Sequence, residues 1–202
     1  MLDVDCWKKG NHRKEKRESM NVLLTGRPGI GKTTLIKRLI KATSLSKGGF
    51  YTEEVREQGQ RIGFSLTTLD GKKSLLAHIK IKSQYRVGRY GVDIDTFEAI
   101  GVESIRKAVS ANEIIIIDEI ERMELFSRKF RETVLQALKT GRVVATIKKG
   151  RGYFIDEMKS RKDARVIKVN LKNRETLSSS LAQTVIDLVN RPHQEATLGN
   201  RP

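Results

Sequence analysis

The stretch from Asn21 to Leu35, NVLLTGRPGIGKTTL, constrains this chain more than any other. A short apolar run there meets Gly26, Gly31, Lys32 and Thr33 at the spacing of a phosphate-binding loop. Gly26, Gly29 and Gly31 carry no Cβ, so the backbone can turn sharply and aim successive N–H groups at a phosphate. Arg27, Pro28, Ile30 and Thr34 complete the loop. Lys32 is placed to reach between the β and γ groups of a nucleotide, and the Thr33 hydroxyl to take a Mg²⁺ position. Leu35, Ile36, Leu39 and Ile40 give the following segment one apolar face, so it reads as a helix whose N-terminus, carrying about +0.5 of a charge, lies under the phosphates. A chance glycine-rich turn would have neither the strand before it nor the helix after it.

With 202 residues, 38% hydrophobic and 32% charged, the chain suits one domain with a full core. No apolar run approaches the length of a membrane span, and the first twenty residues mix bases with acids and lack the apolar stretch of a secretory signal. Cys6 has no second cysteine to bridge and no zinc-like neighbours, which fits a reducing cytoplasm. His12, His78 and His193 stand too far apart for metal-ligand spacing. The net charge of +16 raises a nucleic-acid partner: from Phe126 to Thr176 there are fifteen Lys or Arg against five Asp or Glu. A solvated, ion-pair-rich basic surface and a weak polynucleotide footprint both satisfy that balance. The few aromatics, with Trp7 in the N-terminal arm, form no stacking platform.

Residues 1–19 have no period and read as a flexible basic arm; Met20, at its end, is a natural second start, and the arm is expected to be dispensable. The core is expected over 20–190 and a disordered tail over 191–202. The loop helix runs to about Thr43, Lys47–Gly49 ends its connection, and a second strand covers Phe50 to Val55. From 56 to 92 short β-like segments, broken by the turn signals Gln58-Gly59 and Asp70-Gly71, predict a small β-hairpin insertion. Asp95 is placed to cap a helix carrying Phe97, Ile100, Ile105 and Val109. Glu113 to Asp118, EIIIID, reads as a parallel strand buried on both faces. Ser127 caps the next helix and Gly141 stops it. Strand, helix and strand follow over 142–147, 153–161 and 165–171, and Asn173 caps a last helix through Leu177, Leu181, Val185 and Leu188. The fold class is α/β: a mostly parallel five-stranded core sheet with helices on both faces.

Ligands of such a sheet collect at the carboxyl ends of the strands. Asp118 ends its strand as the Mg²⁺ partner opposite Thr33, and Glu119 stands one residue on, where it can polarise an attacking water. These two, a glycine-lined strand tip and an acid-tipped one, are expected to be neighbours over one hollow. Thr146 is placed to sense the γ-phosphate or orient that water, or is simply a β-branched strand residue. Glu53 and Glu54 are close enough to reach Mg²⁺ waters, or are edge charges. A cation for the transition state has many sources: Arg27, Arg122, Arg128, Lys148, Lys149 and Arg151.

With these residues assembled, the chain resembles the thermophile-type nucleoside-triphosphatase family, represented in animals by a cancer-related nucleoside-triphosphatase. The resemblance rests on TGRPGIGKTT (Thr25 to Thr34), GGFYTEEVRE (Gly48 to Glu57), RIGF (Arg61 to Phe64), LDG (Leu69 to Gly71), VGRYGV (Val87 to Val92) and DEIERMEL (Asp118 to Leu125). It implies a RecA-like phosphate-loop fold and Mg²⁺-dependent hydrolysis of ATP, GTP and other triphosphates to diphosphate and phosphate, with broad base tolerance, by a monomer using Lys32, Thr33, Asp118 and Glu119. Glu121 stands where that family usually has glycine, and the N-terminal arm has no counterpart in it. Two other readings compete: a nucleotide or nucleoside kinase with Lys148 to Arg165 as a cationic lid, and an ATPase stimulated by RNA or DNA.

Overall fold

The computed structural model describes residues 20–189, with side chains as far as Asp187; the arm with Cys6, Trp7 and His12, the side chain of Leu188, and the tail with His193 lie outside them. The apolar run Asn21–Gly26 forms β1, every residue of it buried. Lys32–Ala42 forms α1, and Lys47–Glu57 forms β2. Four strands follow: β3 (Gln60–Thr68), β4 (Lys73–His78), β5 (Arg86–Val87) and β6 (Tyr90–Val92). Then come α2 (Ile94–Phe97), a π-helical stretch Glu98–Val102, and α3 (Glu103–Ser110). The isoleucine run is β7 (Ile114–Ile120); a 3₁₀ turn Glu124–Phe126 leads into α4 (Arg128–Leu138). The chain closes with β8 (Val143–Lys148), α5 (Tyr153–Ser160), β9 (Ala164–Lys168) and α6 (Arg174–Val189).

The nine strands of the described residues join one sheet in the order β5-β6-β4-β3-β2-β7-β8-β1-β9. Five of them, β2, β7, β8, β1 and β9, pair in parallel and make the expected core. Residues 56–92 continue the same sheet as an antiparallel meander on the β2 edge. Gln58 and Gly59 both take positive φ, 48° and 76°, the conformation that a two-residue hairpin turn needs to match strand twist.

The period of two in the strands separates two cores. Val22, Leu24, Ile114, Ile116 and Val144 pack with Leu35, Ile36 and Leu39 of α1 and Leu181 and Val185 of α6. Leu23, Ile115, Ile117, Val143 and Ala145 face the opposite way, onto Ile105 of α3, Phe130 and Val134 of α4, and Ile155 and Met158 of α5. A continuous apolar run is therefore required in β7, where each fully buried isoleucine contributes about 1.5–3 kcal/mol.

Several local expectations are corrected. Lys47–Gly49 belongs to β2 rather than to its connection. Gly49 has φ 101°, and a Cβ there would lie 2.0 Å from the Ile116 carbonyl oxygen, so glycine lets β2 come down onto β7. Helix α2 is capped by Asp93, whose Oδ1 accepts from the Thr96 amide at 3.0 Å and whose Oδ2 accepts from the Thr96 hydroxyl at 2.8 Å; Asp95 lies in the first turn. Asn173 gives its carbonyl to the first bond of α6, while its side chain turns back to the Asn170 amide and the Lys168 carbonyl. The caps on α4 are as expected: Ser127 Oγ accepts from the Phe130 amide at 2.9 Å, and Gly141 follows the helix with φ 66°. Finally, the glycine-lined and acid-tipped strands are not neighbours, because β8 lies between β1 and β7.

Asn21 locks the base of β1. Its fully buried amide donates to the Leu138 and Asp163 carbonyls at 2.9 and 3.0 Å and accepts from the Val143 amide at 3.1 Å, joining β1 to the end of α4, the start of β8 and the approach to β9. Replacing it with leucine strands buried backbone groups at about 1–3 kcal/mol each. Asn21→Leu is expected to lose about 2–4 kcal/mol of stability in urea unfolding, with nucleotide affinity retained under folding conditions.

Candidate active site

The crevice is built where β1, β8, β7 and β2 end. Gly29 and Gly31 take φ 73° and 107°, which let the loop wrap before α1 begins at Lys32. Pro28, Gly29, Gly31, Lys32, Thr33 and Thr34 line a cavity of about 800 Å³. Gly26 ends β1 beneath it. Ile30 turns into the α1–α6 core and anchors the loop, and Arg27 is exposed outside the lining.

Asp118 has no exposed surface. Burial pushes its carboxyl upward, opposed by the nearby hydroxyls of Thr146 and Thr33 and by the charge of Lys32. The Thr146 hydroxyl donates to Asp118 Oδ1 at 2.6 Å, while Oδ2 has no hydrogen-bond partner. Thr146 is itself fully buried in β8, and its hydroxyl is committed to Asp118. The strand that separates the two tips thus supplies the side chain that orients the acid.

Glu119 reaches the cavity, and its Oε1 lies 3.3 Å from Lys32 Nζ. Burial raises its carboxyl above the ordinary range; Lys32 pulls it down, and Glu121 and Asp118 push it up. Glu53 and Glu54 also line the cavity, but they sit within the long β2 opposite Ser65 and Phe64, and both are engaged. Glu53 pairs with Lys37, and Glu54 with Arg56 at 2.6 Å and Arg61 at 2.7 Å, hydrogen bonds that hold the Glu54 carboxyl below its usual range.

Of the six cations considered for the transition state, Arg122 alone lines the cavity, and it has no ion-pair partner among the described residues. Arg128 pairs with Glu132 on an exposed helix face, and Lys148 pairs with Glu121 at 3.4 Å. No residue from Lys148 to Arg165 is among those lining the cavity.

Two features were missed in the sequence. The first is Glu124, 4% exposed, whose Oε2 accepts from the Glu121 amide at 3.1 Å. Burial, reinforced by Glu119 and Glu121, pushes its carboxyl up to about 8. An acid between Met123 and Leu125, just past the site, was the available signal. The second is an outer wall of Arg61, Phe64, Leu76, Val87 and Tyr90 brought by the antiparallel strands. No periodicity announces it, because it exists only once β3, β4 and β6 are laid beside β2.

A glycine loop over a helix N-terminus, with a lysine, a hydroxyl and a buried strand-end aspartate around one cavity, defines a phosphate-loop protein of the RecA-like α/β class. The family model described as NTPase matches residues 21–182, and the chain belongs to that family. It is 49% identical over 163 residues to the nucleoside-triphosphatase THEP1 of Thermotoga sp. (strain RQ2), covering 80% of this chain and 93% of that protein. It is 37% identical to the human cancer-related nucleoside-triphosphatase, covering 82% and 96%. The crystal structure of THEP1 from the hyperthermophile Aquifex aeolicus superposes with a TM-score of 0.74 at 35% identity, over 82% of this chain and 99% of that one. No helix among the described residues is long and apolar enough to cross a membrane.

Glu124 gives a pH test of this geometry. Between the ordinary carboxylate value and about 8 the folded chain holds a proton that the unfolded chain has released, so stability falls as pH rises through that window. Glu124→Gln keeps an acceptor for the Glu121 amide and removes the titration. Its Tm, measured at pH 5 and pH 8 by calorimetry, is expected to match the parent at the lower pH and exceed it by roughly 3–10 °C at the higher.

Proposed function

We infer that this chain hydrolyses nucleoside triphosphates to diphosphate and phosphate at the β–γ bond. The observation that carries this reading is the Glu119 carboxylate 3.3 Å from the phosphate-loop Lys32, with Asp118 buried directly behind it. A triphosphate tail entering the loop competes with Glu119 for the Lys32 ammonium. Once released, the carboxylate is free to accept a proton from a water facing the γ-phosphate. Its burial-raised basicity suits that transfer at neutral pH. The leaving diphosphate stays against the loop amides and the N-terminus of α1.

The donors fit Mg²⁺. Asp118 Oδ2 is a buried carboxylate oxygen without a partner, and the Thr33 hydroxyl is close enough to favour its charged form. Thr33 and Asp118 would hold the ion, the latter through bound water, and the ion would neutralise charge on the β and γ oxygens. Arg122 supplies the second cation toward the γ-phosphate. Broad base tolerance is taken into this reading from the resemblance of the sequence. A monomer suffices, since one chain carries the loop, both acids and Arg122. A cytoplasmic setting fits a sequence with a single cysteine.

Phosphate release with each triphosphate in turn, with and without Mg²⁺, RNA or DNA, tests the reading; no release from any of them would overturn it. Lys32→Ala is expected to abolish nucleotide binding. Glu119→Gln is expected to keep binding, by equilibrium titration, while phosphate release falls about 10²–10⁴-fold. Arg122→Ala is expected to lower kcat by about 10³-fold with KM changed only a few-fold.

A further inference from the structure

Hydrolysis needs a water molecule between Glu119 and the γ-phosphate, yet the same cavity continues past Glu119 to a wall of Phe64, Leu76, Val87, Tyr90 and Met123. Carbon on that scale is what a site for a small ring compound presents, and it does nothing for water. The wall is rigid. Phe64 and Tyr90 meet edge to face with centroids 5.4 Å apart, and the Arg61 guanidinium lies 5.0 Å from the Phe64 ring centre. Arg61 Nε donates to the Tyr90 hydroxyl at 3.1 Å, and that hydroxyl donates to the Arg61 carbonyl at 3.2 Å.

The polar groups limit what enters. Lys37 is held by Glu53, Arg61 by Glu54 and Lys32 by Glu119, while Glu121 is held by Lys148. With Arg122 assigned to the triphosphate, this end of the cavity offers no uncommitted cation for a second phosphate among the described residues. It does offer carboxyl groups, Glu119 and the buried Glu124, to which sugar hydroxyls can hydrogen-bond.

We propose that the Phe64–Tyr90 wall forms an acceptor site for an uncharged nucleoside, whose hydroxyl takes the γ-phosphoryl group in place of water. This rests on the triphosphate lying as the preceding reading places it. The acceptor hydroxyl oxygen forms a bond to the γ-phosphorus as the bond from that phosphorus to the β–γ bridging oxygen breaks. The bridging electron pair leaves with the diphosphate, and the hydroxyl proton passes to the Glu119 carboxylate. The products are nucleoside diphosphate and nucleoside monophosphate.

The test incubates the full chain with γ-labelled ATP and a panel of nucleosides and nucleoside monophosphates, separating labelled products and free phosphate by chromatography. Labelled monophosphate from at least one nucleoside is expected, with free phosphate falling in step. Phe64→Ala, which removes the wall, and Val87→Trp, which fills the space, are each expected to cut that product at least tenfold while leaving acceptor-free phosphate release within about twofold. Lys32→Ala is expected to lose both products. Free phosphate with no labelled nucleoside product overturns the acceptor site and leaves the hydrolase reading standing. Absence of both products from the parent chain overturns the hydrolase reading as well. Labelled product that survives both wall variants, or that persists in Lys32→Ala, or that arises only from monophosphate acceptors, overturns the acceptor site.

Discussion

Asp118 is the constraint around which this protein is organised: a carboxyl carried on the sheet with no access to water and one oxygen without a partner. Removing a carboxylate from water is costly unless its surroundings repay the loss with hydrogen bonds and opposite charge. Thr146 reaches it from the neighbouring strand, Thr33 approaches from the start of α1, and the Lys32 ammonium acts from above. Each comes from a different element, so β7, β8 and the phosphate loop must be in register before the acid is tolerable. A metal ion held through water to the free oxygen would complete that compensation.

The sheet makes this affordable through its two cores. Alternate residues of β1, β7 and β8 face opposite helical layers, so the strands bearing the chemistry are held on both sides by close-packed carbon. A displaced Asp118 would require β7 to slip, and a slip of one residue would move every isoleucine to the other face. Rigidity at the strand ends is thus inherited from the apolar run beneath them. The outer part of the cavity is made differently, from antiparallel strands whose side chains lean over the same opening, where Arg61 ties two aromatic rings and Glu54 into one unit. Two construction methods meet at Glu119.

Much of this was legible in the chain because its signals are local. The phosphate loop announces itself by glycine spacing, β7 by four isoleucines ending in acid, and α4 by Ser127 before it and Gly141 after it. Less local features were misplaced. Asp93 and Asp95 are both plausible caps by composition, and only the Thr96 amide selects between them. Lys47–Gly49 reads as the end of a connection until β2 is seen to press on the Ile116 carbonyl at Gly49. Glu53 and Glu54 look available until Lys37 and Arg61 are brought to them by other elements.

The sequence by itself determined the phosphate-binding loop, the buried acid-tipped strand and the parallel α/β class, since each depends on residues within one short segment. Tertiary structure alone decided that β8 separates β1 from β7, that Thr146 serves Asp118, that Arg122 alone of the six candidate cations lines the cavity and that Glu124 is driven to hold its proton. Strand order and burial are sums over distant parts of the chain. A side chain's partner and its charge state follow from those sums, so no window along the sequence contains them.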